Sequence, residues 1–235
     1  MGEGERSVRL LTAGAVERVV RTVAAGFQGQ TGYRVDISKD TVGALVRRIE
    51  GGEAFDIVVA SAGAIEAFVR QGKVAGGTGT AFAKVGVGVM VRAGMPQPDV
   101  STVEAFRSAV LNAKSIAYID PASGGSSGIY VAGLLERLGL ARRLKGRTVL
   151  KQGGHVADLI AAGEAELGIH QISEILPNPA VTLVGPLPDE IQNYTTYAAG
   201  LAVAPRDRAA AEALLEAFGG TDTAAAVHAG GMSVP

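Results

Sequence analysis

The sequence predicts an α/β protein built on a parallel sheet. Within about its first 70 residues, three short apolar runs are each followed directly by a stretch of helical periodicity. The first two runs end in small or polar residues, and the third is apolar enough to be buried on both faces. Consecutive strand–helix units close into a parallel sheet with right-handed crossovers, whose strand carboxyl ends line the ligand crevice.

The elements follow in order. Val8–Thr12 is a strand that stops at Ala13-Gly14-Ala15. Val16, Val19, Val20, Val23 and Phe27 then recur at helical spacing. Tyr33–Ile37 is the second strand. It leads through Ser38–Gly43 into a helix over Ala44–Glu50 with Leu45, Val46 and Ile49 inward. Phe55–Ala60 is the third strand, and Ser61 caps a helix through Val69 that Gly72 closes. Lys84–Val91 reads as a strand leaving this first set, and Val103–Leu111 as a helix. Ser115–Ile119 is a strand, Ile129–Leu140 a helix, and Val149-Leu150 a short strand. A helix over His155–Ala162, a buried strand over Glu166–His170 and a strand over Val181–Val184 follow. Tyr197–Ala204 is a return strand, and Arg206–Phe218 and Thr221–Ala229 are terminal helices.

Composition narrows the functional classes. At 235 residues and 47% apolar content the chain buries a large core. A net charge of −1 and the lack of a dense basic run argue against a nucleic-acid partner. There is no cysteine, hence no disulfide, thiolate metal site or cysteine nucleophile. The three histidines have no metal-site spacing, and neither a metal nor a cofactor is expected. The polar start Met1–Ser7 is not a signal peptide, and no run approaches the roughly 18 apolar residues of a membrane span.

The stretch that organises the chain is Asp120–Tyr130, where a strand gives way to a turn rich in Pro, Gly and Ser and then to a helix. Strand, loose turn and helix in that order aim several backbone N–H groups at one point, with the helix dipole behind them. Ser123, Ser126 and Ser127 add hydroxyls, which suits an oxyanion or a carboxylate. The plainer reading is that Ser126 caps the helix and Gly124-Gly125 turn the chain. Gly124–Gly128 also satisfies G-x-S-x-G, but Asp120–Ser123 separate it from the strand, unlike the immediate strand-to-serine turn of a hydrolase. Asp158 with His170, or Asp222 with His228, would have to complete such a triad.

The order and local wording resemble the periplasmic molybdate-binding proteins and the wider type 2 periplasmic solute-binding family. The matching pieces are Val8–Phe27, Arg47–Gly51 before Phe55–Ser61, Ser127–Tyr130 and Glu166–Ile169. The resemblance covers nearly the whole chain. It implies a two-lobed fold of two mixed sheets flanked by helices, with lobe 1 at residues 1–83 and 198–235 and lobe 2 at 84–197. Two crossover strands would form the hinge, with ligand in the cleft. A periplasmic location is implied, with the signal peptide already removed from this sequence, and a cytoplasmic location is the alternative. Also implied are a small anionic ligand, the membrane component of an ABC transporter as partner, and a monomer.

Carried over loop by loop, the resemblance implies ligand contacts at Ala13, Gly14 and Ala15, at Lys39 and Thr41, and at Ser126, Ser127 and Gly128. Further contacts fall at His155 and Val156 and at His170 and Gln171. A serine of the family falls on Ala15 and a tyrosine on Gln171, so two side-chain donors are changed. Those departures argue against molybdate and for a ligand with carboxylates or other asymmetric polar groups. Each residue also has a plainer role: Lys39-Asp40 as a solvated turn pair, His155 at a helix start, and His170 as a hydrogen-bonded structural imidazole. His228 lies in a late Ala-rich helix. Tyr194 and Tyr197 serve packing, and Asn193-Tyr194-Thr195 is a sequon of high chance frequency.

Two functions therefore stand together. In the first, the protein binds a small anion for an uptake system and needs no catalytic group. In the second, which rests on a resemblance to aconitate isomerase on the same scaffold, it moves a proton across a small di- or tricarboxylate. Lys39, Thr41 and Ser126-Ser127 would anchor the substrate, and His155 or His170 would be the base, with Glu174 a weaker candidate.

Overall fold

The computed structural model describes residues 6–235, and residues 1–5, most of the polar start read above as no signal peptide, lie outside the described residues. The chain forms two compact units, one running up to Lys84 and resuming over Thr195–Pro235, the other Val85–Tyr194.

The first unit contains β1 (Ser7–Ala13), a 3-10 turn at Gly14–Val16, α1 (Glu17–Thr31), β2 (Arg34–Asp40) and α2 (Val42–Glu50). It continues with β3 (Ile57–Ser61), α3 (Ala62–Arg70) and the start of β4 (Thr80–Arg92). The second unit holds the rest of β4, then α4 (Val103–Asn112), β5 (Ile116–Ile119), α5 (Ser126–Arg137), α6 (Ala141–Leu144), β6 (Thr148–Lys151) and α7 (Val156–Ala162). Beyond these lie β7 (Leu167–Gln171), α8 (Ile172–Ile175) and β8 (Val181–Pro186). The chain returns to the first unit along β9 (Tyr194–Leu201) and ends with α9 (Arg208–Ala217) and α10 (Thr221–Ala229).

The first unit's sheet has the order β2-β1-β3-β9, with β1 parallel to β2 and β3 and β9 antiparallel to β3. Three successive strand–helix units thus give the parallel core that their sequence requires. Leu10, Ile57, Val58 and Val59 on the strands and Val20 and Leu45 on α1 and α2 are fully buried. In the second unit β6, β5 and β7 are mutually parallel neighbours, while β4 and then β8 add antiparallel at the β7 side. Both sheets are mixed.

β5 shows why its run is apolar throughout. Ile116 and Tyr118 pack in one cluster with Phe106, Val131, Leu134 and Leu135. Ala117 and Ile119 pack in a second cluster with Val156, Leu159 and Ile160. Side chains alternate between faces, and helices cover both, so neither face tolerates a polar residue.

Several boundaries differ from those read in the sequence. β2 runs on to Asp40, so Lys39 and Asp40 are the end of a strand, paired with Thr12 and Ala13 of β1. Helix α5 begins at Ser126, three residues early, and its N-cap is Gly125, which has no side chain to offer. Ser126 is therefore the first helical residue instead of the cap. The short α6 and α8 were not predicted, since four residues are too few to display a helical period.

Candidate functional site

The second unit gathers its polar side chains where the parallel strands β5, β6 and β7 end. β5 gives way at Asp120, whose carboxylate accepts the Ala122 N–H at 2.9 Å and starts a 3-10 turn over Pro121–Ser123. Gly124 takes φ +76°, a left-handed conformation open to glycine, and Gly125 leads into α5. The first bond of that helix runs from Ile129 N–H to Gly125 O at 3.1 Å. The N–H groups of Ser126, Ser127 and Gly128 precede it and stand at the positive end of a 12-residue helix.

Gly128 must be glycine for steric reasons, because a Cβ there would lie 2.3 Å from the Ile119 carbonyl oxygen. The helix start is thereby pressed directly on the end of β5. The Ser123 hydroxyl is spent on Asp120 O at 2.7 Å. Ser126 and Ser127, half-buried and buried, sit in the first turn.

The loop after β6 is tied to the loop after β5: Asp120 N–H donates to Lys151 O at 2.8 Å, and Gln152 Nε2 donates to the Asp120 carboxylate. Gly153 and Gly154 both take positive φ, +79° and +71°, and reverse the chain into His155, the N-cap of α7. Val156, the first residue of α7, is fully buried in the core. That accounts for its apolar character without a ligand.

His170 and Gln171 are the last two residues of β7, and both are buried. Leu167 and Ile169 pack with one cluster, so Gly168 and His170 face the other side of the sheet, toward α7 and α8. There His170 Nε2 lies 3.1 Å from Glu174 Oε2, and His155 Nδ1 lies 3.6 Å from Glu174 Oε1. One carboxylate on α8 thus stands by both imidazoles.

Burial, with the nearby His155 as a lesser cause, pushes the His170 imidazole down to about 3, so it is neutral at ordinary pH. A neutral imidazole has one N–H, and Nε2 directs it to Glu174. His170 Nδ1 is then a buried acceptor without a hydrogen-bond partner, and the Ser173 hydroxyl is similarly unpartnered.

Glu174 was a minor candidate in the sequence. Its importance was hidden because it lies four positions after His170 across a strand-to-helix break, where neither the strand nor the helix period applies. Asp158 is exposed on α7 and His170 is engaged with Glu174, so the triad demanded by a serine hydrolase is not assembled. His228 is exposed on α10 in the first unit.

In the first unit, β1 ends at Ala13, whose carbonyl accepts the buried Thr12 hydroxyl at 3.2 Å. Gly14 and Ala15 form the 3-10 turn before α1, and Ala15 is 7% exposed. Lys39 Nζ lies 2.6 Å from Glu17 Oε2, and Glu17 also meets Arg21 at 2.8 Å. Burial raises the Glu17 pKa; its contacts with Lys39 and Arg21 outweigh that, leaving the carboxyl below its usual range. Thr41 caps α2, its hydroxyl oxygen accepting the Ala44 N–H at 3.1 Å. Among the 12 proposed contact residues, the structure brings His155 and His170 together on Glu174 and places Ser126, Ser127 and Gly128 on one helix start. Tyr197 is buried on β9 and Tyr194, at the start of that strand, is exposed.

An open cavity of about 850 Å³ occurs elsewhere in the second unit, with Arg92, Lys114, Ser115 and Glu166 in its lining. It lies at the starting ends of β5 and β7. Parallel sheets bind ligand at the opposite, carboxyl ends.

Comparison with known proteins adds the following. The family model described as bacterial extracellular solute-binding protein matches residues 8–233. An aconitate isomerase of Pseudomonas sp is 30% identical over 232 residues, covering 96% of this chain and 87% of that protein. The periplasmic molybdate-binding protein of Azotobacter vinelandii is similar in fold, with TM-score 0.81 and 22% identity over 97% of this chain and 99% of that one. The sulfate-binding protein of Mycobacterium tuberculosis has TM-score 0.78 and 20% identity over 96% of this chain and 86% of that one.

Proposed function

Because the chain belongs to the bacterial extracellular solute-binding protein family, we propose that it binds a small anion, of the carboxylate or oxyanion class. The observation that carries this reading is the start of α5. Three N–H groups precede the first helical bond, two serine hydroxyls lie in the same turn, and Gly128 lets the helix approach the end of β5. Such an arrangement stabilises negative charge without a countercharge. In this reading the protein works as a monomer in the periplasm and delivers its ligand to the membrane component of an ABC transporter. Among the described residues no helix is long and apolar enough to cross a membrane.

Melting curves recorded with molybdate, sulfate, phosphate, succinate and tricarballylate test this. A ligand that binds only the folded state stabilises it by about 2.7 kcal/mol at a hundred times Kd. Replacing both Ser126 and Ser127 by Ala should weaken the best anion roughly tenfold or more. If none of the anions raises the melting temperature, the reading is wrong.

A second reading, proton transfer on a bound di- or tricarboxylate, is favoured by a feature that binding alone does not require. Two imidazoles flank a mostly buried carboxylate at the same edge of the sheet. The whole-length likeness to an aconitate isomerase supports it. Deuterium uptake from D2O into bound cis- or trans-aconitate separates the two readings.

A further inference from the structure

The three groups around Glu174 are unequal, and their inequality assigns roles. We propose that His155 is the catalytic base of a 1,3-proton shift on an unsaturated di- or tricarboxylate, with Glu174 and His170 as positioning residues behind it. The inference rests on the second reading above and gives it a definite residue and substrate class.

His170 is unsuited to be the base. It is 1% exposed, and its one N–H is directed at Glu174. What it does is hold the Glu174 carboxylate, whose side chain is 11% exposed, toward α7. The cost of this service is visible: Nδ1 is left buried without a partner. A buried polar atom without a partner is destabilising, and a core position would ordinarily be filled by an apolar side chain.

His155 has the opposite character. Its side chain is 38% exposed, and Nδ1 faces Glu174 Oε1 at 3.6 Å, an ion-pair separation. The separation is longer than a hydrogen bond, and contacts between catalytic groups commonly tighten only when substrate arrives. A carboxylate beside Nδ1 favours the tautomer with hydrogen on Nδ1 and a bare lone pair on Nε2. It also stabilises the imidazolium formed when Nε2 takes a proton. Both loops that meet here, after β5 and β6, are joined by the Asp120–Lys151 bond. The base and the anion-stabilising start of α5 therefore belong to one edge of one sheet.

The matching substrate has a methylene group between a carboxylate and a carbon–carbon double bond that carries a second carboxylate. His155 Nε2 takes a proton from the methylene. The C–H electron pair becomes a new C=C, and the old π pair moves toward the conjugated carboxylate, where the N–H groups of Ser126–Gly128 stabilise the charge. The proton then returns to the far carbon of the allylic unit. No electron acceptor, water or co-reactant is consumed.

The experiment combines histidine ring ¹⁵N NMR of the free protein with ¹H NMR of cis- and trans-aconitate in D2O, and uses tricarballylate as a binding probe. At pH 8 His155 should carry its hydrogen on Nδ1 and His170 on Nε2, and Glu174→Gln should return His155 to the ordinary preference for Nε2–H. Wild type should exchange the methylene protons and interconvert the isomers. His155→Gln, at a half-buried position, should slow this about 100-fold or more, with a much smaller loss of tricarballylate binding. Glu174→Gln should lower kcat roughly tenfold or more with a smaller change in KM. Tricarballylate binding without any exchange in wild type would overturn the inference and leave anion binding standing. Exchange that survives His155→Gln would overturn His155 as the base. Failure of every anion to bind would remove both.

Discussion

Asp56 and Arg206, 150 residues apart, are joined in the first unit by a contact between a buried carboxylate and a partly exposed guanidinium. Asp56 Oδ2 lies 3.0 Å from Arg206 Nη2 and 3.2 Å from Nε, and the carboxylate also accepts the Arg9 and Arg206 backbone N–H groups, each at 2.7 Å. Asp56 is 2% exposed. Four donors around one carboxylate satisfy a charge that would otherwise be costly to bury. The same residue's N–H and C=O pair with Arg9 O and Ala202 N–H, both at 2.9 Å. The start of β3 is thus tied to β1 and to the segment between β9 and α9.

Removing this carboxylate should be among the more damaging single changes in the first unit. Asp56→Ala is expected to cost about 3–5 kcal/mol, since it leaves two backbone N–H groups and a guanidinium without their acceptor. Arg206→Ala should cost less, about 1–2 kcal/mol, because the backbone donors remain and its side chain is 42% exposed. Urea denaturation of both variants, at unchanged m-value, measures the difference.

Gly128→Ala tests the contact that sets the position of α5. The added Cβ would fall 2.3 Å from Ile119 O, a backbone atom that cannot step aside without moving the strand. A loss of about 1–3 kcal/mol is expected. Anion binding should weaken as well, because the displaced N–H groups are the proposed donors. Isothermal titration with the best anion from the melting screen, beside a denaturation curve, reads both effects.

The neutral His170 predicts an acid-side loss of stability. Its folded pKa, about 3, is below the ordinary 6.5, so the unfolded chain binds the proton more readily. This contribution is fully present above pH 6.5 and is lost as the pH falls from there toward 3. The slope is about 1.4 kcal/mol per pH unit, or roughly 2 kcal/mol between pH 6.5 and 5. His170→Gln should flatten that part of the profile, which melting curves across the range would show.

Thr41→Ala removes the oxygen that caps α2. A loss of about 1 kcal/mol is expected, while Thr41→Ser should retain most of it. Urea denaturation of both variants, at unchanged m-value, reads the difference.

Much of the fold was legible because its signals are local. Apolar runs followed by helical spacing located β1 to β3 and α1 to α3. The continuous apolar run at β5 marked a strand covered on both faces. The start of α5 was less legible. Its first residues, Ser126, Ser127 and Gly128, have turn-like composition, and the close packing of Gly128 against Ile119 is a contact that no local pattern records. β2 likewise extends to Asp40 because β1 is there to pair with it, although Ser38-Lys39-Asp40 has the composition of a loop.

By itself the sequence determined the fold class, the succession of strands and helices, and the family, since periodicity and short local wording survive without contacts. It also marked the glycine- and serine-rich stretch that opens α5 and that we propose as the anion site. Only the tertiary structure decided which polar side chains meet. The Glu174 carboxylate stands by His155 and His170 because β7 and α8 turn one carboxylate back toward the end of β6. Asp56 reaches Arg206 because β9 returns the chain to the first unit. Such contacts depend on strand order and on which face a side chain takes. Those are set by the burial of the whole core, and no window of sequence contains them.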